Sequence, residues 1–459
     1  MKFRKLLILI CIIGLTITSA YAVEETLISD DKAQYTNENH SVFSLKDCMD
    51  IAIKYNPDIR ASIYNEQVYK SKIGQAWANY FPSFSASLDF DQTDNVYTET
   101  KNSIAYLNTH NTMGYIPNLS ADMLLFDFGK TKASADMAKY SYQASVENTK
   151  ENINSIIYNI KTAYFNILFA QAQVRVYEDT VKDYEMQLEQ ANGFYRLGKK
   201  SKLDVVTAHY NLGKAQLNLV KAKNILEVAR AQLSQIMGIP EYTNYDLSDE
   251  LILNSYDITS EDAIKKAMEV RPELISAQKS SEAARMNVRA ARREFTPDLD
   301  AYGGFSYGIG NDYNLRSSQV GVSLNYSALN IMRTKKQLNQ AKAEYERSLA
   351  ELDSTRDSVY FSVKKAYLDL QTDKESIVIA KLALDQAKEQ YRQVTGRYKA
   401  GVGDAIELKD GENTYLNARL DFYNSLLNYN TAFANLEKEI GIPLEFSDEL
   451  ILNITPEDL

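Results

Sequence analysis

The feature that most constrains this 459-residue chain is where its prolines fall: Pro57, Pro82, Pro117, Pro240, Pro272, Pro297, Pro443 and Pro456. Residues 118–239 and 298–442 are thus free of the residue that breaks a helix interior, and two very long helical blocks are expected. The prolines also mark a repeat. SLKDCMDIAIKYNPDI from Ser44 matches TSEDAIKKAMEVRPELI from Thr259 at a constant offset of 215, which carries Pro57 onto Pro272 and Pro82 onto Pro297. Further on the offset is 203: Ala163-Tyr164 maps to Ala366-Tyr367, Gly198 to Gly401, Asp204 to Glu407, and Gly238-Ile239-Pro240 to Gly441-Ile442-Pro443. The string SDELILN occurs identically at Ser248 and Ser447. One architecture is made twice.

Within the proline-free blocks the apolar residues keep coiled-coil spacing. From Ile153 the seam runs through Ile156, Ile160, Ala163, Ile167, Ala170, Val174, Tyr177, Val181, Tyr184, Leu188 and Ala191 to Tyr195. Its repeat partner runs from Val359 through Val363, Ala366 and Leu370, is interrupted at Asp373, and continues from Ile377 to Tyr398. A returning helix after Gly198 carries Ala215, Ala222 and Ala229 every seventh residue, so each half is expected to hold an antiparallel helical hairpin turning near Gly198 or Gly401. A helix from Gly129 to Leu197 would be ~100 Å long, against ~57 Å for a compact globule of this chain, so an elongated molecule is expected.

Four short segments have period two instead. Phe84, Ala86, Leu88 and Phe90 alternate with Ser83, Ser85, Ser87 and Asp89, and Leu119, Ala121, Met123 and Leu125 with Asn118, Ser120 and Asp122. Leu299, Ala301, Gly303, Phe305 and Tyr307 alternate with Asp298, Asp300 and Ser306, and Val320, Val322 and Leu324 with Gly321, Ser323 and Asn325. Each is close to the ~9–11 residues of a tilted strand crossing a bilayer. Aromatics cluster at the helix-to-strand junctions (Phe81, Phe126, Phe128, Phe295, Tyr326) and toward the far loops (Tyr97, Tyr115, Tyr313), as two belts suit two membrane faces. A soluble sheet packed on helices is the other reading of the alternation. For a membrane sheet the lipid-facing residues are Phe84, Leu88, Leu299, Phe305, Val320 and Val322. Four strands cannot close a useful barrel, and open edges are not tolerated in lipid, so several chains must contribute to one barrel.

Residues 1–22 read as an export signal: Lys2, Arg4 and Lys5, an apolar run from Leu6 to Ile17, then Ala20-Tyr21-Ala22. Ile10 before Cys11 speaks against a lipid-anchored cysteine. Without the signal only Cys48 remains, which excludes an internal disulfide framework and a cysteine metal cluster. The remaining 48 basic and 61 acidic residues give a charge of −13, which argues against a nucleic-acid partner. His40, His110 and His209 lack metal-ligand spacing, and there is no G-x-S-x-G, phosphate loop or Cys/His dyad, so neither an enzyme nor a cofactor or metal is expected.

An export signal, a doubled helix–strand–strand–helix–helix plan, Asn56-Pro57 and Arg271-Pro272 early in each half, and Gly-Ile-Pro closing each hairpin together resemble the TolC-type outer-membrane efflux proteins. The resemblance implies a mainly α fold with a membrane β-barrel. Three chains would form a 12-strand outer-membrane barrel continuous with a periplasmic α-helical coiled-coil barrel. It implies a homotrimeric passive duct, in a tripartite efflux pump or type I secretion system. Its partners would be outer-membrane lipid, a periplasmic adaptor (membrane fusion) protein and an inner-membrane transporter of RND, ABC or MFS type. A trimeric coiled-coil structural or adhesive envelope protein is the alternative, and it leaves the strands unexplained.

The domain plan on this basis is a signal peptide at 1–22, an N-terminal tail at 23–43, a first repeat at 44–240 and an equatorial connection at 241–258. A second repeat follows at 259–443 and a C-terminal tail at 444–459. The strand hairpins fall at about 82–126 and 297–326, and the long helical hairpins at 129–237 and 330–440. The resemblance places the periplasmic entrance at the hairpin turns, with adaptor contact at Arg196, Leu197 and Gly198 and at Lys399, Ala400 and Gly401. It puts gate residues at Asp204, Tyr398, Glu407 and Asp410, the last two as acidic rings facing the bore. The basic residue that latches some members falls on Gly403; Lys200, its repeat equivalent, or Lys202 could replace it, or be simply solvated.

Overall fold

The computed structural model describes residues 41–101, 104–240, 245–248, 254–255, 258–310, 314–326, 330–441 and 447–450. The expected signal, Cys11, His40 and Tyr313 lie outside these. In chain order the elements are β1 (Ser41–Phe43), α1 (Leu45–Tyr55), α2 (Pro57–Ala78), β2 (Ser83–Lys101), β3 (Ile104–Phe126), α3 (Lys130–Arg196), α4 (Lys202–Met237), β4 (Tyr245–Leu247) and β5 (Asn254–Ser255). The second half follows with α5 (Ser260–Val270), α6 (Pro272–Arg293), β6 (Asp298–Gly310), β7 (Asn314–Asn325), α7 (Ile331–Lys399), α8 (Ala405–Ile440) and β8 (Ser447–Leu450). They group into two units, one made of Ala61–Glu151 and Val270–Val359, the other of Met1–Arg60, Asn152–Glu269 and Tyr360–Leu459.

The helix caps reproduce the repeat. Ser44 and Ser201 each form a capping box, with Asp47 and Asp204. Thr259 Oγ1 accepts from Asp262 N at 3.2 Å, and Asp404 Oδ1 from Ile406 N at 3.2 Å. Each such cap is worth about 1 kcal/mol. Gly238 and Gly441 end α4 and α8 with φ of 80° and 86°. A Cβ on Gly238 would collide with the backbone of Tyr55 and Asn56. The Asn56 amide donates to Ile236 O at 2.7 Å, and its carbonyl accepts from Asp58 N at 2.7 Å, so Asn-Pro early in the half is locked to Gly-Ile-Pro at its end.

In the helical-hairpin unit the core is built on the seams. Ile160, Ile167, Leu370 and Ile377 are fully buried, each worth roughly 1.5–3 kcal/mol. Ala215, Ala222 and Ala229 are buried at every seventh position of α4, where the methyl group allows close approach. The strict seam fails in one stretch of α3. Ala172, Val176 and Thr180 are buried in place of Val174, Tyr177 and Val181, and Tyr195 at the end of the seam is exposed. A straight α-helix drifts about 20° per heptad, so an unsupercoiled seam rotates off its contact line. The two tails are also not wholly tails. β1 pairs in parallel with β4, Phe43 opposite Leu247, and β8 pairs antiparallel with β5, Leu450 opposite Asn254. The two identical SDELILN strings therefore meet where Asn254 of one faces Leu450 of the other.

In the other unit the four long strands form one antiparallel sheet in the order β2-β3-β6-β7. The outer strands β2 and β7 are hydrogen-bonded on one side only. Register runs Phe84↔Ala121, Ala86↔Leu119 and Leu88↔Pro117, then Leu119↔Phe305 and Ala121↔Gly303, then Phe305↔Ser318, Gly303↔Val320, Ala301↔Val322 and Leu299↔Leu324. Directly opposed residues share a face, so Phe84, Leu88, Leu299, Phe305, Val320 and Val322 all lie on one face of the sheet. Val320 is 93% exposed and Phe84 75%, while Leu299 is half-buried. The opposite face is polar and internally bonded: Ser85 to Ser120 at 2.6 Å, Asn118 to Asp89 at 2.6 Å, and Asn325 to Asp300 at 2.8 Å.

Candidate entrance at the helical hairpin tips

The two turns share one geometry. Gly198 and Gly401 take φ of 70° and 78°, a left-handed conformation natural to glycine. Lys199 N bonds Phe194 O at 2.9 Å, and Val402 N bonds Arg397 O at 3.1 Å, the six-residue closure of a Schellman motif. Around them Arg196, Leu197, Lys399, Ala400 and Gly401 are all exposed. Leu197, Leu203, Val402 and Ile406 present apolar side chains at 67% exposure or more.

The tips touch each other through Tyr398. Its ring is buried with Val394 and Leu408, meets Phe194 edge-on at 6.4 Å, and lies 5.1 Å below the Lys200 ammonium. Burial, and then the charge of Asp204, push its hydroxyl pKa up. Lys200 is therefore not simply solvated, because a cation over an aromatic face gains from the ring quadrupole. Asp204 is engaged as the third residue of its capping box: Oδ2 accepts from Ser201 N at 2.9 Å and Ser201 Oγ at 2.7 Å, which holds its carboxyl below the usual range. Glu407, its repeat equivalent, lies 3.6 Å from Arg397, and Asp410 is exposed one turn further along α8. Gly403 is sterically fixed. A Cβ there would stand 2.7 Å from Tyr398 N, so the position cannot carry a long basic side chain without moving the turn.

Above the tips is a cluster that sequence reasoning missed. Glu412 on α8 is buried against α3, where Gln187 Nε2 donates to its Oε2 at 3.1 Å and the Tyr184 hydroxyl also bonds it. Its Oε1 has no partner among the described residues. Burial pushes this carboxyl up to about 7, against the opposing bonds from Gln187 and Tyr184, and the charge of Asp183 adds to the rise. Asp183 is itself raised, mainly by burial, and accepts from the Tyr391 hydroxyl at 3.3 Å. Tyr391 stacks on Tyr415 with ring centres 5.4 Å apart. The one sequence signal was Gly411, a glycine inside a helix. A Cβ there would meet Val394 Cγ2 at 2.6 Å, so α7 and α8 approach closely at this level.

Comparisons with known proteins agree with this architecture. Residues 49–239 and 263–441 match the family model described as outer membrane efflux protein. Outer membrane protein TolC of Escherichia coli K12 is 24% identical over 422 residues, 87% of this chain and 82% of that protein. The alkaline protease secretion protein AprF of Pseudomonas aeruginosa is 22% identical, covering 90% and 88% of the two chains. The Campylobacter jejuni CmeC outer membrane channel superposes with a TM-score of 0.73 at 19% identity, covering 90% of this chain and 89% of that one. With both repeats matched in order, the chain belongs to the outer membrane efflux protein family.

Proposed function

We propose that this outer-membrane protein is one of three identical subunits of a passive export duct. The observation that carries the reading is the sheet itself. It has one apolar face, on which Phe84, Leu88, Phe305, Val320 and Val322 are exposed, one hydrogen-bonded polar face, and two outer strands paired on one side only. In hydrocarbon an open strand edge costs several kcal/mol per unsatisfied group, so the sheet calls for neighbours to close it, and three four-stranded sheets give a 12-strand barrel. Phe84, Leu88, Leu299, Phe305, Val320 and Val322 then face lipid and the polar face lines water. The hairpin tips form the periplasmic entrance. Arg196, Leu197, Gly198, Lys399, Ala400 and Gly401 are offered to a periplasmic adaptor, and Asp204, Tyr398, Glu407 and Asp410 surround the gate. Energy comes from an inner-membrane transporter.

The relatives include a secretion protein and efflux pump components, so polypeptides and small molecules are both candidate cargo. Light scattering of protein purified in mild detergent tests the assembly: the mass of three chains is expected, and a stable monomer overturns the duct. Recording single-channel conductance from the same preparation in planar bilayers tests passage.

A further inference from the structure

Beneath the apolar face of the sheet lies a basic groove that the duct reading does not use. It has a volume of about 710 Å³ and is lined by Arg285, Arg289, Arg292 and Arg293 of α6 and by Lys342 of α7, with Glu346 as the acidic residue among the lining. Arg285 is paired with Glu282 at 2.6 Å. Among the described residues Arg289, Arg292, Arg293 and Lys342 form no ion pair, and all four are exposed. Lys335, seven residues before Lys342 and so on the same face of α7, extends the basic surface toward the strands. The exposed Ile331 and Met332 precede it.

The side of the sheet to which this groove belongs follows from the opposite side of the same helix. Lys130 and Glu294 form an ion pair at 2.9 Å. Both act electrostatically on Asp298, which lies on the polar face of the sheet two residues before Asp300. They line a second groove with Asn287. Arg289 is two residues beyond Asn287 and Arg292 two before Glu294, a rotation of about 200° on a helix. The arginines therefore stand on the side of α6 that continues the apolar face of the sheet, one turn before β6 begins.

We infer that this groove binds the phosphate of an anionic lipid headgroup at the periplasmic boundary of the membrane; the inference rests on the lipid-facing orientation proposed above. Arginine suits a phosphate diester because its planar fork donates two parallel hydrogen bonds and sheds hydration more readily than an ammonium. Basic side chains near an anionic surface also gain from its potential. Phosphatidylglycerol is the source proposed, with free phosphate as the competing source of the same chemistry.

The full chain is reconstituted into phosphatidylcholine vesicles with and without phosphatidylglycerol, floated, extracted in mild detergent, and its retained lipid measured. Phosphatidylglycerol should be enriched over its share of the vesicle, and high salt should erode the enrichment. Removing charge with R289Q/R293Q should lower it between about tenfold and thirtyfold, and R292Q alone about fivefold. R333Q, on the opposite groove, should leave it unchanged. Equal retention of the two lipids by a chain that floats overturns the site and leaves the membrane reading standing. Displacement of the lipid by millimolar inorganic phosphate overturns the lipid as its ligand. A chain that floats with neither vesicle removes the membrane reading, and the site with it.

Discussion

Gln187 Nε2 donates to Glu412 Oε2 at 3.1 Å, so the first helical hairpin holds the second through a carboxyl group whose proton is retained to about pH 7. The groups facing it are Asp183, Tyr184 and Gln187 on α3 and Tyr391 on α7. Burial raises both tyrosine pKa values and that of Asp183, and Glu412 is the group of the cluster that titrates near neutrality.

With its pKa raised from 4.5 to about 7, Glu412 keeps a proton in the folded state that the unfolded state releases. Its contribution to stability is therefore complete below pH 4.5, falls as pH rises toward 7, and is absent above. Glu412→Gln should flatten that decline and stabilise the hairpin contact at pH 8 by on the order of 2 kcal/mol. Thermal unfolding of both proteins from pH 4 to pH 8 reads it. Parallel curves would show that the carboxyl is solvated.

Gly403 should tolerate no side chain. Because a Cβ would sit 2.7 Å from Tyr398 N, Gly403→Ala should loosen the second tip, at a cost of roughly 1–3 kcal/mol. Amide exchange should accelerate at residues 397–406 and not in the sheet. Unchanged protection of Tyr398 and Val402 would show that the turn relaxes freely.

On the sheet, the two faces should respond differently to charge. Leu88→Arg or Val322→Arg should cost about 2–4 kcal/mol near the bilayer centre and impair assembly, whereas Ser87→Arg or Ser323→Arg should be tolerated. Heat-modifiable mobility on gels gives the readout, and equal damage on both faces would point to a sheet buried in protein.

At the proposed entrance, Glu407 and Asp410 are three residues apart and share a face of α8. Repeated by threefold symmetry, that face would concentrate negative potential in a water-filled constriction. Cation selectivity and block by trivalent cations from the periplasmic side are expected. Replacing both residues with Ala should weaken selectivity and block while leaving stability nearly unchanged, since exposed charges add little to folding. Undiminished block in the double variant would place the carboxylates outside the bore.

The helical hairpins and alternating strands were legible because their cause is local: Ile160, Ile167 and Leu370 at heptad spacing, and Leu88 between Ser87 and Asp89, declare a face without knowledge of the partner. Capping was legible in the same way at Ser44 and Ser201. What escaped depends on contact between distant segments. A glutamate on a helix reads as a solvated group, and only packing against Gln187 and Tyr184 of α3 buries Glu412. Lys200 likewise reads as a surface charge until the second tip brings Tyr398 beneath it. The rotation of the α3 seam onto Val176 was hidden because a strict heptad assumes the supercoil that would keep it in register.

The two halves have not aged alike since the duplication that produced them. The long helices measure 67 and 69 residues and their return helices 36 each, while the strands measure 19 and 23 in one copy and 13 and 12 in the other. The change of offset from 215 to 203 falls between Pro82 and Ala163, the interval that holds the first strand hairpin. Selection has therefore held the helical copies to a common gauge, as expected if both tips must end level to be gripped together. The far ends of the strands were free to drift, and the longer hairpin of the first copy is where descendants of this ancestor would be expected to diverge first in length.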